Sequence, residues 1–111
     1  MKRPLWLSIH AERDLANIFE YTLERWGERQ FERYRQLLAV ALDQLTMDPR
    51  PPHSRAREDL FPGCRSVNAG RHVALYRVGE PAIEVARILH QSMDWLRHIP
   101  PEFAEDEPGG S

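Results

Sequence analysis

Residues 11–45, AERDLANIFEYTLERWGERQFERYRQLLAVALDQL, decide the fold. In the first half Leu15, Ile18, Phe19, Thr22 and Trp26 recur at helical spacing. Glu12 and Asp14 fall in the first turn, where the helix dipole favours negative charge. Gly27 supplies the stop, because a left-handed closing residue costs glycine little. Beyond it Phe31, Tyr34, Leu38, Ala41 and Leu45 alternate steps of three and four, drawing one apolar stripe along a second helix. Leu37, Val40 and Leu42 widen that stripe and predict burial on more than one side, while Glu28, Arg29, Glu32, Arg33 and Arg35 form a solvated face. Two helices with matching stripes on either side of one glycine make an antiparallel hairpin.

Upstream, Leu5-Trp6-Leu7-Ser8-Ile9 follows Pro4 and reads as an edge strand entering the first helix, with Ser8 or His10 at the N-cap. Downstream, Pro49 drives Asp48 out of helical geometry, and the polar, proline-punctuated stretch 50–63 reads as a long surface loop. Three β-rich runs follow: residues 65–69, 72–78 and 82–89, separated by the turns Gly70-Arg71 and Gly79-Glu80-Pro81. They predict an antiparallel meander. In the last run strict alternation places Ile83, Val85, Arg87 and Leu89 on one face and Glu84, Ala86, Ile88 and His90 on the other. One of these faces must cover the hairpin, and parity does not say which. Residues 93–99 suit one short helical turn before Pro100-Pro101. The fold class is therefore α+β: strand, helical hairpin, three-stranded meander and a short C-terminal helical segment, forming one domain over residues 1–99. Residues 100–111 are expected to be a disordered acidic tail.

With 111 residues, 41% hydrophobic and 29% charged, the chain has the composition of a single globular domain. One cysteine excludes an internal disulfide framework and a multi-thiolate metal site. No apolar run approaches the ~20 residues that cross a bilayer, and no signal-peptide core follows Met1-Lys2-Arg3, so a cytoplasmic location is expected. The net charge of −2 conceals an imbalance, because Glu102, Glu105, Asp106 and Glu107 are unbalanced by any base in the last eleven residues. The rest carries 15 basic groups against 13 acidic ones, and Lys2 is its sole lysine. That excess is too small to argue for nucleic-acid binding by charge.

Phosphate-cradling glycine loops, helical metal-type histidine pairs and a nucleophile elbow are all missing from the sequence. No catalytic residue, metal or cofactor is assigned. Cys64 stands beside Arg65, which favours a thiolate, yet a lone cysteine in an arginine-rich chain reads as incidental. His10 and His53 read as solvent-exposed. His72 opens one strand and His90 ends its neighbour, so the two meet at one end of the sheet among Arg65, Arg71, Arg77, Arg87, Asp94 and Arg97. Three readings of that cluster stay open. Arg87 pairs with Asp94 and a hydrogen-bonded His90 pins the C-terminal segment; or the arginines form a protein-binding surface; or a histidine and arginines work on a phosphodiester.

An ordered set of motifs resembles the ParE-type toxins of bacterial toxin–antitoxin systems. It comprises Asp14-Leu15, Ile18, Tyr21 and Glu24-Arg25-Trp26-Gly27, then Gln30, Tyr34 and residues 45–49. It continues with Pro62-Gly63-Cys64-Arg65, His72-Val73, Tyr76-Arg77-Val78 and Arg87-Ile88-Leu89-His90-Gln91-Ser92-Met93-Asp94, covering about residues 5–98. The resemblance implies the RelE/ParE fold, a ParD-like antitoxin partner in a hetero-oligomer, and inhibition of DNA gyrase that blocks replication. Relatives of the RelE branch instead cut messenger RNA on the ribosome; the lysine-rich stretch of some of those nucleases is missing here. A third possibility is a homologue that only binds its antitoxin. On this reading Arg65, Arg71, Arg87, His90 and Arg97 are candidates for contacting gyrase. Leu5, Trp6 and Leu7, on an edge strand able to accept another strand, join Phe19 and Trp26 as candidates for the antitoxin. The same aromatic residues also suit the core.

Overall fold

A computed structural model describes residues 2–104. Strand β1 (Leu5–Leu7) leads into helix α1 (Ile9–Trp26), and helix α2 (Glu28–Met47) follows after one residue. Ser8 is the N-cap of α1: its hydroxyl oxygen accepts from the Ala11 amide at 3.0 Å and its hydroxyl donates to the Ala86 carbonyl at 2.7 Å. One buried side chain thus caps the helix and fastens its start to the sheet. Gly27 has φ +90° and ψ 176°, extended on the side of the map that only glycine occupies freely. Its amide donates to Leu23 and its carbonyl accepts from Phe31, so a single residue ends one helix and begins the next.

Four further strands complete the sheet: β2 (Arg55–Ala56), β3 (Arg65–Ala69), β4 (His72–Val78) and β5 (Ile83–His90). Their order is β1-β5-β4-β3-β2, with β1 parallel to β5 and the other pairs antiparallel. A 3₁₀ turn at Trp95–His98 and the short helix α3 (Pro101–Ala104) end the described chain. None of the described helices is long and apolar enough to cross a membrane.

Both sheet faces are covered. On the hairpin side Ala11, Leu42 and Leu45 pack on Val67, Ala74, Tyr76, Ile83, Val85 and Ile88. On the other side Val73, Leu75, Ala86 and Leu89 pack beneath Leu60, Phe61, Cys64 and Phe103. Burying each leucine of these sets contributes roughly 1.5–3 kcal/mol. Tyr76 is fully buried, and its hydroxyl satisfies itself by donating to the Pro49 carbonyl at 2.7 Å, which ties the exit of α2 to the central strand.

Several expectations are corrected. The alternation of β5 breaks at Ala86: Tyr76 pairs with Val85, but Leu75 pairs with Arg87, so Ala86 is an extra residue in a bulge. The bulge moves Ile88 onto the hairpin side with Ile83 and Val85, and leaves Leu89 with Ala86 on the other face. Helix α2 is buried along one side only, since Leu37 and Val40 are exposed. Stretch 50–63 is not merely a surface loop. It contributes the two-residue β2, and Leu60 and Phe61 close the second core. His10 is half-buried, 3.7 Å from Glu102, whereas His53 is exposed as expected. The C-terminal segment does not become a free tail at residue 100. Phe103 is only 1% exposed and packs on Phe61 and Trp6, with the Arg77 guanidinium 4.6 Å from its ring centroid. The acidic remainder, 105–111, lies outside the described residues.

Candidate functional site

The bulge in β5 carries a consequence at the sheet edge. Because β1 pairs only with residues 83–85, the edge of β5 beyond them needs another acceptor. Asp14 of α1 provides it: Oδ2 accepts from the Ile88 amide at 2.9 Å and from Arg87 Nε at 2.8 Å, and Oδ1 accepts from Arg87 Nη2 at 2.7 Å. Arg87 Nη1 also donates to the His98 carbonyl at 3.0 Å. This partly buried, bidentate pair joins α1, β5 and the C-terminal turn. The expected Arg87–Asp94 pair is replaced by Arg87–Asp14, and Asp94 is exposed.

Beyond this lock, at the Gly27 end of the hairpin, opens a cavity of about 640 Å³. Helix α1 contributes Asn17, Ile18, Tyr21, Thr22 and Trp26; α2 contributes Gln30 and Tyr34. The sheet supplies Arg71, His72 and His90. Tyr34 organises the junction. Its ring fills the space above Gly70, where a Cβ would come within 2.7 Å of it, and the positive φ of +63° independently favours glycine. The Tyr34 hydroxyl accepts from the Arg71 amide at 3.0 Å and lies 2.5 Å from His72 Nδ1, while its contact with the Ala69 carbonyl is long at 3.4 Å. The Tyr34 hydroxyl thus has the Ala69 carbonyl and His72 Nδ1 as neighbours, and the tautomer of His72 decides which way the short hydrogen bond runs.

His72 meets His90 edge to face, with ring centroids 5.4 Å apart, as their pairing across β4 and β5 requires. His90 Nδ1 accepts from the Ser92 amide at 3.2 Å and lies 2.7 Å from the Ser92 hydroxyl. In its neutral form His90 therefore carries hydrogen on Nε2. Burial, and then the like charge of His90, lower the pKa of His72. Burial raises that of Tyr34 against smaller opposing effects of the Arg71 and His72 amides and the Arg71 charge. Both shifts favour the neutral form of the group.

The five basic candidates are thus divided. Arg71 and His90 line this cavity. Arg87 is committed to Asp14 and His98. Arg65 donates to Ser54 Oγ at 2.7 Å and borders a different, 200 Å³ depression with Arg50 and Arg77. It stands four strand residues, ~13 Å, from the His72 end of the sheet. Arg97 is exposed on the 3₁₀ turn. Cys64 is fully buried and its thiol pKa is pushed up to about 12 by that burial, with Arg57 opposing weakly; the neighbouring Arg65 does not make it reactive. Among the described residues no group of three or more potential ligands gathers for a metal.

The apolar candidates are divided too. Leu5 and Phe19 border a groove of about 420 Å³ with Leu15, Leu38 and Leu42, rimmed by Arg35 and Asp43. Leu7 packs on the core beside β5. Trp6 is 49% exposed and stacks on Phe103, and Trp26 is 60% exposed at the first cavity. Sequence reasoning brings His72 to His90 but does not single out Asp14 or Tyr34 as site residues. Tyr34 was absorbed into the α2 stripe, although a tyrosine opposite a Gly-Arg turn was the available signal.

The family model described as "ParE toxin of type II toxin-antitoxin system, parDE" matches residues 7–95. Toxin ParE1 of Mycobacterium tuberculosis (strain H37Rv) is 42% identical over 94 residues, covering 84% of this chain and 94% of the relative. Toxin ParE1 of Caulobacter vibrioides is 35% identical over 97 residues, covering 87% and 98%. The fold resembles a chain of the chromosomal ParDE system from P. aeruginosa, with TM-score 0.69 at 21% identity over 80% of this chain and 96% of that one. It also resembles a chain of the RelBE2 toxin–antitoxin complex from M. tuberculosis, with TM-score 0.58 at 19% identity over 82% and 100%. The chain belongs to the ParE toxin family of type II toxin–antitoxin systems, within the RelE/ParE superfamily.

Proposed function

We propose that the chain is a toxin that acts without bond chemistry, by binding DNA gyrase, and that a ParD-like antitoxin neutralises it. The observation that carries the reading is the scatter of its basic groups, in a chain whose family match spans residues 7–95. A nuclease needs a proton carrier and cations converging on one phosphate. Here Arg87 is bound internally and Arg65 lies elsewhere, so Arg71 is left as the arginine that lines the cavity with His72 and His90, short of the set of cations that the charge on a cleaved phosphodiester calls for. Exposed Tyr21 and Trp26 beside Arg71 have instead the residue types enriched at protein-interface hot spots. A bound inhibitor shifts the population among gyrase states and needs no catalytic group of its own. On this reading Arg71 and His90 contact the target, with Arg97 on the adjoining turn.

For the antitoxin, the groove beside Leu5 and Phe19 suits the apolar face of an amphipathic segment. Strand β1 is a sheet edge. The Pro4 carbonyl and Ser8 amide bond to β5, so by alternation the Leu5 and Leu7 backbone groups face away from it and suit an added strand. Ordering such a segment costs entropy that Leu5, Phe19 and Trp6 contacts must offset.

The RelE-type reading has one observation of its own: Tyr34, His72, His90 and Arg71 share a cavity. Purified chain titrated into a gyrase supercoiling reaction and, in parallel, into ribosomes carrying a defined message separates the two. Supercoiling inhibition with intact message supports the proposal. Message cleavage with unaffected supercoiling assigns the RelE-type activity. Antitoxin binding with neither effect marks a homologue that has kept only its partner.

A further inference from the structure

The cavity at the Gly27 end of the hairpin has a composition that a protein-binding surface alone does not demand. None of its ten lining residues is a carboxylate, whereas Arg71, His72 and His90 supply cationic or N–H donor groups. The Ser92 amide occupies Nδ1 of His90, leaving Nε2–H as the donor of that neutral ring, and Tyr34 engages Nδ1 of His72, leaving its Nε2 as the free ring nitrogen. Across from them stand the aromatic rings of Tyr21 and Trp26, both exposed on α1. Asn17 and Gln30 add side-chain amides, each both donor and acceptor. The volume of about 640 Å³ falls within the range of small-molecule sites.

Donors without competing acids suit an oxyanion. Flat aromatic walls suit a planar ring. Amides suit the heteroatom edge of a nucleobase. We propose that this cavity binds a nucleoside monophosphate, the phosphate held by Arg71 with the His90 N–H group and the base against Trp26 and Tyr21. Neither Arg71 nor Trp26 carries the core, so each is replaceable without unfolding the chain. The cavity shares Arg71, His90, Tyr21 and Trp26 with the proposed gyrase contact, and direct binding of the nucleotide tests it apart from gyrase inhibition.

The test is calorimetric titration of the full chain with adenosine monophosphate, adenosine and inorganic phosphate. Parallel titrations use R71A and W26L, with circular dichroism confirming that both remain folded. Saturable binding of the nucleotide is expected, with adenosine and phosphate each weaker by about tenfold or more, since a charge-assisted hydrogen bond and a stacked base are each worth that much. Each substitution is expected to weaken nucleotide binding by about tenfold. Absence of saturation at millimolar nucleotide, unchanged affinity in both variants, or phosphate binding as tightly as nucleotide overturns the proposal. So does a 5′-phosphorylated single strand binding about tenfold tighter than the mononucleotide, which assigns the cavity to nucleic acid instead.

Discussion

Replacing Asp14 by alanine removes the group that terminates the open edge of β5. Its side chain is 10% exposed and that of Arg87 20%, so the pair sits mostly out of water. Breaking such a pair from one side leaves a largely desolvated guanidinium and costs about 3–5 kcal/mol. The Ile88 amide loses its acceptor as well, a loss of about 1–3 kcal/mol that overlaps the first because one carboxylate serves both. We expect Asp14→Ala to lose about 3–5 kcal/mol in denaturant unfolding. At about 4 °C per kcal/mol, the melting midpoint should fall by roughly 12–20 °C. Asp14→Asn keeps an oxygen for Ile88 but no charge for Arg87, and should fall between wild type and alanine. A double-mutant cycle with Arg87→Ala should give a coupling of about 1–3 kcal/mol. A loss below about 1 kcal/mol for Asp14→Ala, the range of exposed pairs, or strict additivity in the cycle would refute the reasoning.

The other expectations concern the second core and the titrating groups. Phe103→Ala should destabilise by about 3–5 kcal/mol in chemical unfolding, although the residue lies in a segment that composition marks as tail; a change under about 1 kcal/mol would mean that α3 does not anchor there. Cys64, with its thiol pushed up to about 12, should resist alkylation in the native chain at pH 8 and react once unfolded. Its raised pKa adds stability that is fully present below the ordinary thiol value of 9.0 and declines as pH rises toward 12. His72 has the opposite sense. Its folded pKa lies below the ordinary 6.5, so the unfolded chain takes up the proton first and stability declines as pH falls through that region. Thermal midpoints between pH 5 and pH 7.5 should therefore drop less on acidification in His72→Gln than in wild type.

How much of this was legible in the sequence depends on the kind of signal. The hairpin was, because Leu15, Ile18, Leu38 and Leu45 repeat at one period and Gly27 alone fits the backbone between the helices. The strands β3, β4 and β5 were, because glycine turns separate them. The bulge at Ala86 was not, since an extra residue shifts parity without altering composition. It misassigned the face of Ile88 and Leu89, and with them the partner of Arg87. Asp14 was read as a helix-dipole residue, and its bond to the Ile88 amide, 74 residues on, has no local signature. Phe103 was lost inside an acidic, proline-bounded segment, where one aromatic outweighs its neighbours only because Phe61 and Trp6 wait for it. The meeting of His72 and His90 was foreseen from strand pairing; the hydroxyl of Tyr34 that fixes one of them required the tertiary fold.

The measurement that bears most directly on the functional account is the supercoiling activity of purified DNA gyrase titrated with purified chain, with and without the antitoxin. The account predicts dose-dependent inhibition that the antitoxin relieves and that Arg71→Ala weakens while the fold persists. Undiminished supercoiling at saturating chain, alongside cleavage of ribosome-bound message, would contradict it.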